Sequence, residues 1–348
     1  MDNWPFRRSY IPQSVESRLI IRCVMRNKKI YDSVVELIGN TPMVRLNRIC
    51  LGMASEILVK LEYMNPSGSL KDRIALEMIE QAEKQGRLKP GYTIIESSTG
   101  NTGFGLSSIG KLKGYKVRIY ETMPGKAGAE KTKMMHNVGA EVRLMEPKDI
   151  EGLKERSVAG AEVELPGRQL CLEDERANPD NIWWARQFSN KDNVRAHHVT
   201  AREILEQTDG RVDVFVQSIG TGGSLAGIAE ILKKEIPKVK VIGIQPASSK
   251  DLWYTGMDFP VSEIKGGIVS AMLKQKGLID VLVRITDDEA RAMTRRLWRE
   301  EGLYCGVSSG ANVHFALEEA RKSAGKRTIV TLLNDHMNRY LTEERYVT

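Results

Sequence analysis

The stretch EILVKLEYMNPSGSLKDRIALEMIEQA, residues 56–82, decides the fold of this chain. Its first six residues form a short apolar run that predicts a buried strand. Asn65, Pro66 and Gly68 interrupt regular structure, and apolar side chains then recur at helical spacing as far as Ala82. A strand, a turn and a helix in this order are typical of an α/β protein with a parallel sheet.

Lys71 occupies the first turn of this predicted helix. Ser69, followed three residues later by Asp72, has the pattern of a capping box. The positive end of the helix dipole disfavours the ammonium form, which makes the lysine a candidate nucleophile. A solvated surface lysine is the ordinary alternative, and this segment alone does not decide between the two.

The alternation of strands and helices continues along the chain, although residues 147–180 are less regular. Further strands are predicted at residues 92–96, 116–120, 141–145, 212–216, 240–244 and 328–332. We therefore expect an α/β architecture with two largely parallel sheets that helices cover on both faces.

The composition excludes several classes of protein. The 348 residues are 41% hydrophobic and 28% charged, and no apolar run approaches the roughly 18 residues of a membrane span. The four cysteines lack CxxC spacing and the five histidines lack an HExxH pair, so neither a zinc site nor a disulfide framework is indicated. We expect a cytoplasmic protein with no metal and no membrane partner.

Much of the net charge of +7 lies in a basic N-terminal extension, residues 1–28. Residues 1–29 carry a net charge of +5, which leaves +2 for the other 319 residues. Because no basic stripe with interleaved aromatic residues is present, we expect no nucleic-acid partner. The extension lacks the apolar core of a signal peptide. A weak targeting arm and an alternative start at Met25 remain open, but we favour a structurally minor arm.

Residues 96–103, ESSTGNTG, form a Gly-rich loop directly after a predicted strand. Such a turn brings backbone N–H groups and short hydroxyls together, which suits a carboxylate or a phosphate. Asn101 adds an amide that can donate to an oxygen of a bound ring. An ordinary turn between strand and helix is the equally weighted alternative.

A second Gly-rich loop, GTGGS at residues 220–224, also follows a strand and opens a helix. Glycines let the backbone approach an anion and the helix N-terminus points at it, so we predict a phosphate site. The loop lacks the third glycine of a dinucleotide fingerprint. GLSSIGK at residues 105–111 formally matches GxxxxGK, but it lies inside a predicted helix and is rejected as a nucleotide loop.

Residues 301–311, EGLYCGVSSGA, form a small-residue turn before a helix, and Ser308 lies within it. A helix cap is the plain interpretation of this segment alone. Taken together, one lysine, one phosphate loop, one carboxylate-sized loop and one serine-bearing turn fit a single cofactor. Pyridoxal 5′-phosphate needs a lysine for its aldehyde, a phosphate site and a partner for its ring nitrogen.

The order of these motifs resembles the cysteine synthase and cystathionine β-synthase family, the fold type II pyridoxal-phosphate-dependent enzymes. The similarity runs from about residue 31 to 342. The matching segments are GNTP with Arg45-Leu46 (residues 39–46), NPSGSLKDR (65–73), STGNTG (98–103), QFSN (187–190), GTGGS (220–224) and SSG (308–310).

The resemblance implies a role for each motif. Lys71 would hold the cofactor as a Schiff base and then act as acid and base at the substrate Cα. Asn101 would bind the ring oxygen and Ser308 the ring nitrogen. The cofactor phosphate would be bound by Gly220, Thr221, Gly222, Gly223 and Ser224. The substrate carboxylate would be bound by Ser98, Thr99, Gly100, Thr102 and Gln187.

The reaction implied is β-replacement on a serine-derived amino acid, by elimination to aminoacrylate and addition of sulfide or a thiol. A neutral serine at the ring nitrogen favours loss of a β-substituent over a long-lived carbanion. The run at residues 60–66 resembles diaminopropionate-forming relatives, which keeps an amine nucleophile or an O-phosphoserine substrate open. A β-eliminating desulfhydrase or dehydratase and an inactive regulatory binding protein are further alternatives.

The family fold is tryptophan synthase β-like, with two interleaved domains. We expect a larger cofactor-binding domain at residues 29–64 and 189–348, and a smaller mobile substrate domain at residues 65–188. The resemblance also favours a homodimer.

Several segments depart from the family pattern, and they put the substrates in doubt. A glycine-rich floor becomes GGIVSAM at residues 266–272, a Met-Ser pair becomes Ala127-Gly128, and Pro-Asp-Ser becomes Asn334-Asp335-His336. His336 is expected either to be structural or to contact the substrate or cofactor ring. Residues 147–182 match poorly.

Overall fold

The computed structural model describes residues 30–98, 100–121, 129–145, 165–247, 277–323 and 325–341. The predictions for residues 1–28, Thr99, Ala127-Gly128 and residues 266–272 fall outside these ranges. Residues Met1–Leu37 form a unit by themselves, whose described part contains a 3-10 turn at Val34–Leu37. The second unit, Ile38–Thr348, carries both sheets.

The larger sheet has six strands in the order β1-β2-β10-β7-β8-β9. β1 is antiparallel to β2, and all other neighbours are parallel. The strands are β1 (Met43–Arg45), β2 (Glu56–Lys60), β7 (Val214–Ser218), β8 (Lys240–Pro246), β9 (Val281–Ile285) and β10 (Thr328–Leu332).

The smaller sheet has four parallel strands in the order β5-β4-β3-β6. They are β3 (Thr93–Ser97), β4 (Lys116–Glu121), β5 (Glu141–Leu144) and β6 (Ile182–Trp184). The predicted fold class, α/β with two largely parallel sheets, is confirmed.

Eight α-helices connect these strands within the described residues. They are α1 (Lys71–Lys84), α2 (Asn101–Leu112), α3 (Ala129–Asn137), α4 (Leu165–Ala177), α5 (Lys191–Gln207), α6 (Gly223–Glu235), α7 (Asp287–Arg296) and α8 (Val307–Lys322). The GLSSIGK segment lies inside α2, as expected. No described helix is long and apolar enough to cross a membrane.

Some elements differ from the sequence prediction. Part of the stretch described as irregular, residues 147–180, forms α4, where Pro166 occupies an early helical position that tolerates proline. β7 begins at Val214 rather than Val212. The strands β1, β6 and β9 were not predicted. β1 and β6 have three residues each, which is too few to show a period, whereas β9 is as long as several strands that were predicted.

β10 forms the centre of the larger sheet and explains its stability. All five of its residues are buried, and it pairs with β2 on one side and β7 on the other. A parallel strand covered on both faces favours β-branched residues, and the sequence TIVTL supplies four of them. Both threonine hydroxyls have acceptors, since Thr328 donates to Glu56 Oε1 over 3.0 Å and Thr331 donates to the Val216 carbonyl over 2.7 Å.

Close packing of α5 against α6 depends on a glycine. A Cβ on Gly227 would overlap the carbonyl oxygen of Val194 in α5. Val194, Leu225 and Ile228 belong to one buried apolar cluster at this contact. The glycine therefore allows α5 and α6 to approach each other closely in the N-terminal half of α6.

We expect Gly227→Ala to lower the free energy of unfolding by about 1–3 kcal/mol, because the added methyl group overpacks the helix contact. Urea denaturation followed by circular dichroism measures the change. Gly325→Ala is the matched control, since a Cβ there meets no atom within 4 Å. Equal stability of the two variants would contradict the packing argument.

Candidate active site

Three loops meet at one edge of the larger sheet. β2, β10 and β7 are parallel neighbours, so their carboxyl ends lie at the same edge. From these ends the chain continues into the Lys71 turn, into residues 333–336 and into residues 219–224. In open α/β proteins, ligands bind outside the carboxyl ends of the strands.

Lys71 is the first residue of α1 and is half-buried. Its backbone N–H donates to Ser69 Oγ over 3.2 Å. The predicted capping box is wrong, because Leu70 occupies the N-cap and makes no side-chain cap. Asp72 instead accepts from the Ser67 backbone N–H (2.7 Å) and the Ser67 hydroxyl. The Asp72 carboxylate thus fixes the turn that precedes Lys71 by bonding Ser67, five residues earlier. Burial raises the pKa of Asp72 to about 6.

Four buried charges anchor the Lys71 helix to the sheet and to α5. Arg73 donates to Glu62 Oε2 and to Glu203 Oε1, each over 2.7 Å. Lys60 Nζ lies 2.8 Å from Glu203 Oε2. Two cations thereby face two carboxylates, and we call these four residues the charge cluster.

The charge cluster keeps its carboxylates ionised despite burial. Burial alone would raise the pKa of Glu62, but the Arg73 guanidinium holds that pKa below its usual value. Glu203 behaves in the same way beside Arg73 and Lys60. Burial lowers the pKa of Lys60, and the attraction of Glu203 opposes that shift.

The Gly39-Asn40-Thr41 motif binds the charge cluster. Gly39 and Asn40 both have positive φ angles, +89° and +45°, which suits glycine and asparagine. This backbone turn lets the Asn40 N–H donate to Glu203 Oε1 over 3.0 Å. The Thr41 hydroxyl donates to Glu62 Oε1 over 2.7 Å. The motif therefore satisfies the remaining acceptors of the two buried carboxylates.

Residues 220–224, the phosphate cradle, form the N-terminus of α6. Gly222 is the N-cap with a φ of +87°. A Cβ on Gly223 would overlap the amide of Asn193. Asn193 in turn donates to Thr221 Oγ1 over 3.0 Å. In the described residues the cradle offers backbone N–H groups and two hydroxyls and contacts no carboxylate, which is the donor set that a phosphate dianion needs.

The loop after β3 forms the N-terminus of α2. Ser98 Oγ accepts from the backbone N–H groups of Gly100 (3.2 Å) and Gly103 (3.0 Å), so its own proton is left to donate. Thr102 is buried in the first turn of α2. The Gln187 amide donates to the Ser97 carbonyl over 2.8 Å and so lies beside this loop. Four of the five predicted carboxylate-binding residues are therefore close together, and Thr99 is outside the described residues.

The Asn101 side chain forms hydrogen bonds with Asp335 and Arg339 near the end of the described residues. Its Nδ2 donates to Asp335 Oδ2 over 2.7 Å, and its Oδ1 accepts from Arg339 over 2.8 Å. Asp335 also accepts from the Tyr340 hydroxyl. Because an amide nitrogen carries two N–H groups, a donor role for Asn101 toward a ring oxygen falls to the Nδ2 hydrogen that does not bond Asp335.

The segment Asn334–His336 bridges the lysine turn and the Ser308 turn. On one side, the Leu70 N–H donates to the Asn334 carbonyl (2.9 Å). On the other side, the Gly306 N–H donates to the Asp335 carbonyl (2.9 Å). Ser308, in the first turn of α8, accepts from Asn334 Nδ2 over 3.0 Å. The segment thus holds the lysine and the serine at one site.

His336 has structural contacts. Its Nδ1 accepts from the Asn338 backbone N–H over 3.2 Å, and its ring packs edge-on against Tyr63 with centroids 5.6 Å apart. These contacts favour the structural alternative for this side chain.

The residues present fit pyridoxal phosphate. A half-buried lysine at a helix start, a carboxylate-free cradle at a second helix start and a serine hydroxyl beside both supply the three attachments that the cofactor needs. Fold and site together define a pyridoxal-phosphate-dependent enzyme of fold type II.

Comparison with known proteins supports this class. The family model described as "Pyridoxal-phosphate dependent enzyme" matches residues 34–335, and the chain belongs to that family. It is 35% identical to a cysteine synthase of Staphylococcus aureus, over 92% of this chain and 98% of the relative. Solved structures of a cysteine synthase from Entamoeba histolytica (36% identical, 92% of each chain, TM-score 0.79) and of an O-ureido-L-serine synthase (31%, 92% and 96%, 0.78) are also similar.

The sequence did not reveal the charge cluster. Glu203 lies 130 positions from Arg73, and no local pattern connects them. One sequence feature could have indicated the charge cluster, namely a charged residue within or beside an apolar segment. Lys60 lies in an apolar strand, and Arg73 directly precedes an apolar helical run.

We expect Arg73→Met to lower the free energy of unfolding by about 3–5 kcal/mol, because it leaves two buried carboxylates with a single cation. Urea denaturation measures the loss. Arg45→Met is the control, since Arg45 pairs with Glu56 at the surface and a surface pair contributes at most about 1 kcal/mol. A loss below about 1 kcal/mol for both variants would show that the cluster is not an anchor.

Proposed function

We propose that this enzyme catalyses β-replacement on a serine-derived amino acid, with elimination of the β-substituent followed by addition of sulfide or a thiol. The observation that carries the proposal is the bridge formed by Asn334–His336 between the Lys71 turn and the Ser308 turn. When bound, pyridoxal phosphate supplies an electron-withdrawing ring that makes the substrate Cα–H acidic.

Lys71 is assigned two tasks. Its Nζ holds the cofactor, and after release it moves the proton at the substrate Cα. Its place in the first turn of α1 puts it at the positive end of the helix dipole, which favours the neutral amine that both tasks require.

The other assignments follow the loops around Lys71. Ser98, Thr99, Gly100, Thr102 and Gln187 bind the substrate carboxylate, which the N-terminus of α2 favours electrostatically. Gly220, Thr221, Gly222, Gly223 and Ser224 bind the cofactor phosphate. Asn101 orients the ring oxygen, and Ser308 donates to the ring nitrogen.

The domain division and assembly are also proposals. Residues 65–188 contain the smaller sheet, which supports their assignment as the substrate domain beside a cofactor domain at residues 29–64 and 189–348. Three cysteines, Cys50, Cys171 and Cys305, are buried and unpaired, which supports a reducing compartment such as the cytoplasm. We propose a homodimer, as the family resemblance implies.

We expect Lys71→Ala to reduce turnover by roughly 10²–10⁴-fold or more, because the variant lacks the amine assigned to the Cα proton. Steady-state release of the β-substituent, with O-acetylserine and sulfide as substrates, measures it. Lys84→Ala is the matched control at the exposed end of the same helix. A fully active Lys71→Ala variant would refute the assignment.

The substrate is tested by a spectral screen of serine, O-acetylserine, O-phosphoserine and cysteine. We expect a cofactor absorbance change with O-acetylserine that sulfide reverses as cysteine forms. If the purified protein shows no cofactor absorbance at all, the proposed pyridoxal-phosphate-dependent activity is refuted. A change with cysteine alone, with sulfide released, would favour the β-eliminating alternative.

O-phosphoserine is the second candidate substrate, and Lys131 favours it. The Lys131 side chain packs against Gly100, since its Cδ lies 2.9 Å from where a Cβ of that glycine would be. Its ammonium lies 4.6 Å from the centre of the Tyr340 ring. Burial raises the pKa of the Glu121 carboxyl, and the positive charge of Lys131 opposes that shift. Within the described residues Lys131 has no carboxylate at ion-pair distance, and its Nζ lies 3.6 Å from the position of a Gly100 Cβ, where it can face a second anionic group of a substrate.

We expect Lys131→Ala to raise the KM for O-phosphoserine by about tenfold or more, since it removes a charged hydrogen bond. The KM for O-acetylserine should change little. Parallel kinetics with both substrates measure the difference, and Lys133→Ala is the control because it lies exposed on the same helix. Equal KM changes for both substrates would exclude selective recognition of the phosphate.

A further inference from the structure

Asn334 joins the two ends of the candidate cofactor site through its side chain. Only 5% of the residue is exposed. Its Oδ1 accepts from Gln217 Nε2 over 3.0 Å. Its Nδ2 donates to Ser218 Oγ over 3.1 Å and to Ser308 Oγ over 3.0 Å.

The orientation of the Asn334 amide is set through two neighbouring amides, Asn312 and Gln217. Backbone groups fix the first of them. Asn312 Oδ1 accepts from the Ser218 N–H (2.7 Å) and its Nδ2 donates to the Leu332 carbonyl (2.8 Å), which leaves no ambiguity between its oxygen and nitrogen. The same Nδ2 donates to Gln217 Oε1 over 2.9 Å. Gln217 must therefore present Nε2 to Asn334, whose Oδ1 faces it and whose Nδ2 faces the two serines.

The orientation of Asn334 determines what Ser308 can do. The Ser308 hydroxyl oxygen accepts from Asn334, so its proton points in another direction and remains available as a donor. Ser308 is half-buried at the start of α8. An acceptor at position 334 would instead attract the Ser308 proton to itself.

The hydrogen-bonded amides of Asn334, Gln217 and Asn312 are also connected to the phosphate cradle. Gln217 Nε2 also donates to Ser224 Oγ over 3.1 Å, and Ser218 lies at the end of β7, two residues before the cradle begins. Asn334 therefore contacts the serine assigned to the ring nitrogen directly, and it is linked to the phosphate cradle through Gln217.

We propose that Asn334 is a positioning residue that fixes the Ser308 hydroxyl as a donor toward the cofactor ring nitrogen. The proposal rests on the proposed function. Asn334 stands where the family pattern has a proline, which has no side-chain donor, so this device belongs to the sequence of this chain.

The experiment compares two ligands that lack the aldehyde and therefore bind without Lys71. They are pyridoxine 5′-phosphate and its deaza analogue, in which a C–H group replaces the ring nitrogen. Calorimetry on the cofactor-free protein gives both Kd values. We expect the wild type to prefer the nitrogen-containing ligand by roughly 3- to 10-fold, the effect of one net hydrogen bond.

Ser308→Ala and Asn334→Ala should each bring this ratio close to one, and the double variant should lower it no further, because Asn334 acts through Ser308. Asn338→Ala, an exposed asparagine of the same segment, should keep the wild-type ratio. If Asn334→Ala does not fold, the isosteric Asn334→Asp removes the same donors and should also lose the preference.

The proposal is overturned if the Asn334 variants keep the wild-type ratio while Ser308→Ala loses it. It is also overturned if the wild type binds both ligands equally, although the cofactor assignment then stands. A wild-type protein that binds neither ligand would overturn the proposed function together with this inference.

Discussion

The buried ion pairs of Arg73 with Glu62 and Glu203 join three parts of the fold. Glu62 follows β2, Arg73 lies in the first turn of α1 and Glu203 lies in α5. Removing charges from water is costly, and only mutual pairing offsets that cost. The geometry that satisfies all four charges of the cluster therefore also sets where α1 begins, and with it the place of Lys71 two residues earlier.

The sequence predicted the fold class and the loops of the site from local signals. Glycines and short hydroxyls mark residues 98–103 and 220–224, and the apolar period marks α1. It could not predict the partner of Arg73, since ion pairs between distant residues leave no local pattern. The predicted capping box at Ser69 failed for a different, local reason. Asp72 bonds Ser67 instead, because the tight turn at Gly68 brings that residue within reach.

The residues proposed to hold the cofactor and those proposed to choose the substrate lie in different parts of the fold. The Lys71 turn, the phosphate cradle and the Ser308 turn are bound to the larger sheet and to each other by backbone hydrogen bonds and buried amides. Lys131 and the loop at Gly100 belong to helices beside the smaller sheet. Under the proposed assignments, substitutions around the smaller sheet would change the substrate and leave the proposed cofactor contacts in place.

The position of β10 has a consequence for biosynthesis of the protein. β10 separates β2 from β7 in the larger sheet, yet its Thr328 is 272 positions beyond its partner Glu56. During vectorial synthesis the earlier strands leave the ribosome with their central neighbour still missing. The nascent chain therefore cannot complete this sheet, or the lysine site at its edge, until β10 itself has emerged.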